Sequence, residues 1–246
     1  MPAYKMDVHT HSLVSGHSYN TIREMAQYAA EIGMELLGIT DHGPMIPGTL
    51  CTDMYFGKVD IIPRKMYGID VMFGSEVNIL DYEGTLDLPE KPLRKLDLCI
   101  AGIHHHCYTH GTMEENTNAV VSAMKNPYVD IISHPNDANC PLDYQILART
   151  AAEEHVLLEV NNHSLEYPGS RKNTDGCLRE MLKYCRKEGI PVLVSSDAHI
   201  DVAIGTFESA EKLLREENFP AELVINNDIP AFKKFLSDNR TRRKAR

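Results

Sequence analysis

The sequence predicts an α/β fold in which seven parallel strands, wrapped by helices, are buried as in a barrel. Three observations carry this. Short apolar runs alternate along the chain with segments of helical spacing, the arrangement that builds a parallel sheet covered by helices. The runs are apolar at nearly every position, as strands buried on both faces are. Nearly every run also ends in a residue of one chemical kind, histidine or carboxylate.

The chain begins with Met6-Asp7-Val8-His9-Thr10-His11 as its first strand, with His17 six residues on. A capping box, Thr21 with Glu24, opens a helix whose apolar positions are Ile22, Met25, Ala26 and Ala29, and Gly33 ends it. Residues 35–40 (ELLGIT) form the second strand and run into Asp41-His42-Gly43. A loop rich in Gly and Pro and an amphipathic segment extend to about Gly68, before the strand 70–75 (DVMFGS), which ends at Glu76. Residues 96–103 (LDLCIAGI) end at His104, the first of three consecutive histidines. Thr112 and Glu115 cap the next helix, with Met113, Val120, Val121 and Met124 on its apolar face and Pro127 beyond it. The strand 128–133 (YVDIIS) ends at His134-Pro135, and Pro141 opens a helix to about Glu154. The strand 156–160 (VLLEV) ends at Asn161, and the helix carrying Leu178, Met181, Leu182 and Cys185 stops at Gly189. The seventh strand, 191–196 (PVLVSS), ends in Asp197-Ala198-His199, and helices over 207–217 and 230–237 close the chain.

A length of 246 residues suits one large barrel or two small domains. No low-complexity segment or linker-like shift divides it, so one domain over 1–246 is expected. The last seven residues hold five basic side chains and read as a solvated, frayed end from about 240 to 246. With 35 acidic against 25 basic residues the net charge is −10, which argues against a broad nucleic-acid-binding surface. Six scattered cysteines without a C-x-x-C pair suggest reduced thiols in a cytoplasmic protein. The chain enters its first strand with no room for a signal peptide, and no apolar run approaches the ~18–20 residues that cross a bilayer. A soluble protein acting on a small substrate is expected.

An isolated H-x-H pair is close to chance among twelve histidines. The context gives it weight. His9 and His11, His42, Glu76, His104, His134, and Asp197 with His199 all stand at C-terminal strand ends, which converge on the rim where barrel enzymes place their chemistry. The i, i+2 spacing of His9/His11 and Asp197/His199 aims each pair to one face of a strand. Imidazole and carboxylate without thiolate favour Zn²⁺, Mn²⁺ or Fe²⁺ in an open catalytic site over a closed structural one. With His17 there are nine candidates. Since one ion takes about three or four protein ligands, nine suffice for two or three ions sharing a carboxylate.

His9-Thr10-His11, Thr40-Asp41-His42-Gly43, Glu76, His104, Ser133-His134-Pro135 and Ser196-Asp197-Ala198-His199 resemble the motifs of the PHP (polymerase and histidinol phosphatase) superfamily. The similarity runs from Asp7 to the final helix and is to small stand-alone bacterial phosphoesterases with a trinuclear zinc site. The resemblance implies a distorted, TIM-like (β/α)7 barrel. It also implies that His9, His11, Glu76 and Asp197 hold one ion, that Glu76 bridges to a second held by His104 and His134, and that His17, His42 and His199 hold a third. Manganese or iron could replace zinc. Of the three consecutive histidines, alignment and strand direction select His104; His106 shares its face and is the alternative, and His105 is expected to be exposed. Asp41 is expected to orient an imidazole. Arg171, in the loop after the sixth strand, could clamp a substrate phosphate bidentately, and His163 is a further candidate there. His110 and His155 are expected away from the rim or at a strand's entry end and are assigned to ordinary structure.

The expected activity is phosphomonoester hydrolysis by a metal-bridging hydroxide, with Glu76 and Asp197 holding the bridging water. Histidinol phosphatase and a PHP-type nuclease or phosphodiesterase are the nearer alternatives. An amidohydrolase-like C–N hydrolase also opens with H-x-H but usually bridges its ions with a lysine, where this chain offers Glu76. A non-catalytic metal-binding protein would have no need of all nine ligands.

Overall fold

In the computed structural model, which describes residues 4–245, the apolar runs join into one sheet. Seven strands follow one another in parallel: β1 (Met6–Asp7), β2 (Leu36–His42), β4 (Ile69–Asn78), β5 (Leu98–Gly102), β6 (Ile131–Ile132), β7 (Leu157–Asn161) and β8 (Val192–Ser195). An additional short strand, β3 (Lys65–Met66), pairs antiparallel with β4 at the end of the stretch read as a loop and an amphipathic segment. The last strand returns to the first through a parallel bridge between Thr10 and Ala198, with the His11 amide donating to the Ala198 carbonyl at 2.8 Å. The sheet is thus a nearly closed barrel. Gly38 makes the β1–β2 approach possible, because a Cβ there would lie 2.7 Å from the Val8 Cα.

Burial explains why the strands read as continuous apolar runs. Leu36, Leu98, Ile100, Ile131, Leu157 and Leu193 fill the barrel interior, while their neighbours Leu37, Cys99, Ile132, Leu158 and Val192 belong to the layer under the helices. Successive side chains point to opposite faces, and here both faces are apolar. Continued along the same phase, the interior turns polar toward the C-terminal ends. Met72 leads to Glu76 and Asn78, Leu157 to Glu159 and Asn161, and Leu193 to Ser195 and Asp197. The barrel therefore has an apolar lower half and a buried polar upper half.

Helices α1 (Ile22–Glu31) and α4 (Met113–Met124) begin with the expected capping boxes at Thr21/Glu24 and Thr112/Glu115. Helix α5 (Tyr144–Glu154) starts later than Pro141, capped by the Asp143 carboxylate, and α7 (Thr174–Glu188) ends at Gly189 in the left-handed conformation. Short helices α2 (Asp53–Phe56), α3 (Glu90–Leu93) and α6 (Asn162–Glu166) occupy connections, and α8 (Glu208–Glu216) packs against α6. The last helix, α9 (Ile229–Ala245), is longer than expected and plugs the lower end of the barrel with Phe232, Phe235 and Leu236. The basic stretch from 240 onward falls in its last turns, where Arg240 donates to the Asp97 carbonyl at 2.8 Å. Arg246 and residues 1–3 lie outside the described residues. No described helix is long and apolar enough to cross a membrane.

Candidate metal centre

The upper barrel converges on Glu76, which is fully buried at the end of β4. Its Oε1 lies 2.8 Å from His134 Nε2, 3.3 Å from His104 Nε2 and 3.5 Å from His9 Nε2. Its Oε2 lies 2.8 Å from His42 Nδ1 and 3.6 Å from His11 Nε2. The second carboxylate, Asp197, faces it: Oδ1 is 3.2 Å from His11 Nε2 and 3.6 Å from His9 Nε2. On the solvent side, His17 Nε2 lies 3.2 Å from His42 Nε2 and 3.0 Å from His199 Nε2. All nine sequence candidates come together. Three overlapping triples, His9–His11–Glu76, His42–Glu76–His104 and His11–His42–His199, each place their ligand atoms within 4.8 Å of one another.

Two of these residues reach the site through unusual backbone. His134 (φ 28°) and Asp197 (φ 55°) are non-glycine residues at positive φ, a conformation that costs about 1–3 kcal/mol and concentrates at functional sites. The first strand contributes by a change of phase. Met6 and Val8 face the lower interior, yet His9 and His11, just beyond β1, face the upper site.

A ring of partners the sequence reading did not identify fixes the imidazoles from behind. His9 Nδ1 lies 2.6 Å from the buried Glu159 carboxylate, which also accepts from the His134 amide, from Asn161 and from Ser195. His104 Nδ1 is held at 2.7 Å by Asn78 Oδ1, and Asn78 in turn donates to Asp87 at 2.5 Å. His199 Nδ1 donates to the Asp197 carbonyl at 2.9 Å. Asp41 acts at one remove from any imidazole. Its carboxylate accepts from Ser12, Ser15 and Tyr55, and Ser15 Oγ is the atom beside His11 Nδ1 at 3.3 Å. Each such contact occupies Nδ1 and leaves Nε2 for the centre. Glu159 and Asn78 share the interior phase of their strands, the one sequence signal that could have found them.

Titration behaviour follows from this geometry. Burial alone would lower His9, but Glu159, Asp197 and Glu76 outweigh it and hold the ring well above its ordinary value. Burial, with His42 and His199 adding to it, keeps His11 well below, and lowers His17 to about 4. Burial would raise Glu76 and Asp197, but the surrounding histidines hold both well below the usual carboxylate range. The site thus presents ionised carboxylates at Glu76 and Asp197 and neutral imidazoles at His11 and His17, the forms that bind cations.

The residues fit a metal. His9 Nε2, His11 Nε2, His42 Nδ1, Glu76 Oε2 and Asp197 Oδ1 are buried without a hydrogen-bond partner. His42 Nδ1 and Glu76 Oε2 are close, but not in hydrogen-bond geometry. Leaving five such atoms unmatched would cost about 1–3 kcal/mol each, and divalent cations among them remove that cost together.

A cavity of about 560 Å³ opens above the cluster. Arg171 and His163 line it, and His110 does too, which corrects its assignment away from the rim. His110 follows a turn, with Cys107 and Tyr108 amides bonded to the His104 carbonyl, that folds the segment back over the opening. His105 and His106 are exposed and lie against each other with ring centroids 3.7 Å apart and planes tilted by 39°, leaving His104 alone of the three beside Glu76. His155 lies at the opposite end of the barrel, stacked on Phe235.

The PHP domain family matches residues 7–223. The chain belongs to that family. Similar chains include a probable phosphatase of Clostridium novyi (strain NT), 43% identical over 92% of this chain and 91% of that one. Another, from Acetivibrio thermocellus, is 40% identical over 97% of this chain and 98% of its own. Among solved structures, the histidinol phosphate phosphatase of Lactococcus lactis, complexed with zinc, L-histidinol and phosphate, superposes with a TM-score of 0.62 at 18% identity. That match covers 88% of this PHP chain and 95% of the other, and it shows the shared barrel.

Proposed function

We propose that this PHP domain, read as one catalytic domain over 1–246, is a metal-dependent phosphatase that hydrolyses phosphomonoesters at a trinuclear zinc site. The observation that carries this reading is the set of five buried, unpartnered nitrogen and oxygen atoms converging between Glu76 and Asp197. The probable phosphatases among its relatives and the zinc in the Lactococcus lactis enzyme point the same way.

His9, His11, Glu76 and Asp197 would hold one ion, Glu76 with His104 and His134 a second, and His17, His42 and His199 a third. Bound there, the ions would supply Lewis-acid polarisation of phosphoryl oxygens and a nucleophile drawn from water at neutral pH. The chain's own residues supply the rest. Glu76 and Asp197 orient that water, the first from the barrel centre and the second from the end of β8. Glu159, Asn78 and Ser15 lock ring orientations, so little reorganisation accompanies the reaction. Arg171, half-buried in the cavity wall, would bind an anionic group of the substrate.

The test is a phosphoester panel on protein stripped of metal and then reconstituted with Zn²⁺ or Mn²⁺. p-Nitrophenyl phosphate and at least one small phosphomonoester should be turned over only after reconstitution. Histidinol phosphate belongs in the panel because the fold neighbour binds its components. Failure to hydrolyse any phosphoester with metals bound would refute the reading, and turnover of amides instead would favour a C–N hydrolase.

A further inference from the structure

Apart from His155, the histidines that the metal centre does not use line the same cavity. His105, His106 and His110 line it together with Arg171. Arg171 lies within electrostatic reach of both His105 and His163. None of these four makes an ion pair with a carboxylate among the described residues. In a chain of net charge −10 that is an uneven distribution.

Of the carboxylates that line this cavity and the one beside it, Asp137 and Asp81 are engaged by backbone amides and Glu83 is exposed to solvent. Asp137 Oδ1 accepts from the Lys172 and Asn139 amides, each at 2.9 Å. Asp81, which borders a shallower pocket behind His105 and His106, accepts from the Glu83 amide at 3.1 Å and the Thr85 amide at 2.9 Å. Donor groups without acceptors of their own therefore face a space that is continuous with the metal cluster.

That space is larger than the reaction requires. A cavity of about 560 Å³ falls in the range that encloses a whole small ligand. One residue separates His104 from His106, so their Cα atoms lie no more than about 7 Å apart. An anion on the histidine side would sit only a few bonds from a phosphoryl group at the metals.

The geometry points to a second anion subsite formed by Arg171, His105, His106 and His110. Its ligand class is a short phosphomonoester carrying a second phosphate or a carboxylate two to four bonds from the first. This rests on the phosphatase reading and narrows its substrate. Arg171 serves the second anion rather than the scissile phosphoryl group, with the histidines as neutral or charged donors around it. An aryl phosphate without a second anionic group fills only the metal end, and a substrate whose far end is an amine, such as histidinol phosphate, is matched poorly.

The experiment compares two non-hydrolysable probes on the zinc-loaded protein by titration calorimetry. 3-Phosphonopropionate and propylphosphonate share the phosphonate and chain length and differ in the terminal carboxylate. The expected result is tighter binding of 3-phosphonopropionate by about tenfold or more, the size of one charge-assisted contact. In Arg171→Met and in His106→Gln that preference should shrink to about twofold or less, with propylphosphonate affinity kept near the parental value in His106→Gln. Equal affinities in the parental protein, binding of neither probe, or an undiminished preference in both variants would overturn the subsite. The phosphatase reading fails separately: a protein that keeps the binding preference but hydrolyses no phosphoester retains the subsite and loses the reaction.

Discussion

Glu159 holds His9 by its Nδ1 at 2.6 Å, a contact between residues 150 positions apart that is buried completely from solvent. The same carboxylate takes the His134 amide at 2.6 Å, so one side chain on β7 sets the orientation of candidate ligands from β1 and β6. Glu159→Gln should keep the barrel folded and weaken zinc affinity by about 10–100-fold, the usual cost of losing such a partner. Competition with a chromophoric chelator measures this, and circular dichroism checks the fold. Zinc affinity equal to the parental value would show that His9 needs no such support.

The proposed division of ligands among three ions predicts unequal losses. Among the described residues His17 Nε2 lies beside His42 and His199, on the solvent side, so His17→Ala should remove one equivalent of metal and leave two. Glu76 lies within 3.6 Å of five imidazoles, so Glu76→Ala should lose at least two and abolish activity. Elemental analysis of the purified variants against the parent gives the counts. Equal stoichiometry in the two variants would dismantle the grouping.

How far the site was legible follows from strand phase. Glu76, His104 and Asp197 stand where the interior phase of their strands continues, so a reading by period two reaches them. The first strand is different. The phase slips between Val8 and His9, and His134 enters at φ 28°, so neither direction follows from alternation along the strand; their strand-end positions and the motif resemblance singled them out. Glu159 and Asn78 escaped because a buried carboxylate or amide inside an apolar run carries no mark of its partner until the strands are placed together. Their contacts join residues from distant parts of the chain. His110 was misplaced for a related reason: the turn over 104–108 folds it back over the cavity, and that turn has no strong Gly or Pro signal. The fold was more readable, since capping boxes at Thr21 and Thr112 and the terminal Gly189 are local signals. The short strand β3 and the full length of α9 depend on tertiary partners and were missed.

Metal removal should lower thermal stability along with activity. Cations that bind only the folded chain stabilise it by about 4 kcal/mol at a thousandfold excess over the dissociation constant. At about 2–4 °C per kcal/mol for a chain of this size, chelation should lower the melting temperature by roughly 10 °C. Differential scanning calorimetry before and after chelation, and again after zinc return, measures it. The unpartnered atoms of His9, His11, Glu76 and Asp197 give the physical reason: in the stripped protein they sit buried with nothing to bond. A melting temperature indifferent to zinc would mean that the cluster is satisfied without ions.

The opposite end of the barrel should be separable from the centre. Phe232 is fully buried among Met6, Leu98, Ile131 and Leu193, where α9 closes the lower interior. Removing its ring leaves a cavity between the strands and the helix, because the strands are held by their ladders and cannot collapse inward. Phe232→Ala should therefore cost about 3–5 kcal/mol, read by urea unfolding of the zinc-loaded protein. The metal centre lies above an intervening apolar layer and shares no contact with that ring, so metal stoichiometry and kcat/KM below the unfolding transition should match the parent. A variant with parental stability but reduced zinc content would show instead that α9 acts on the site through the strands.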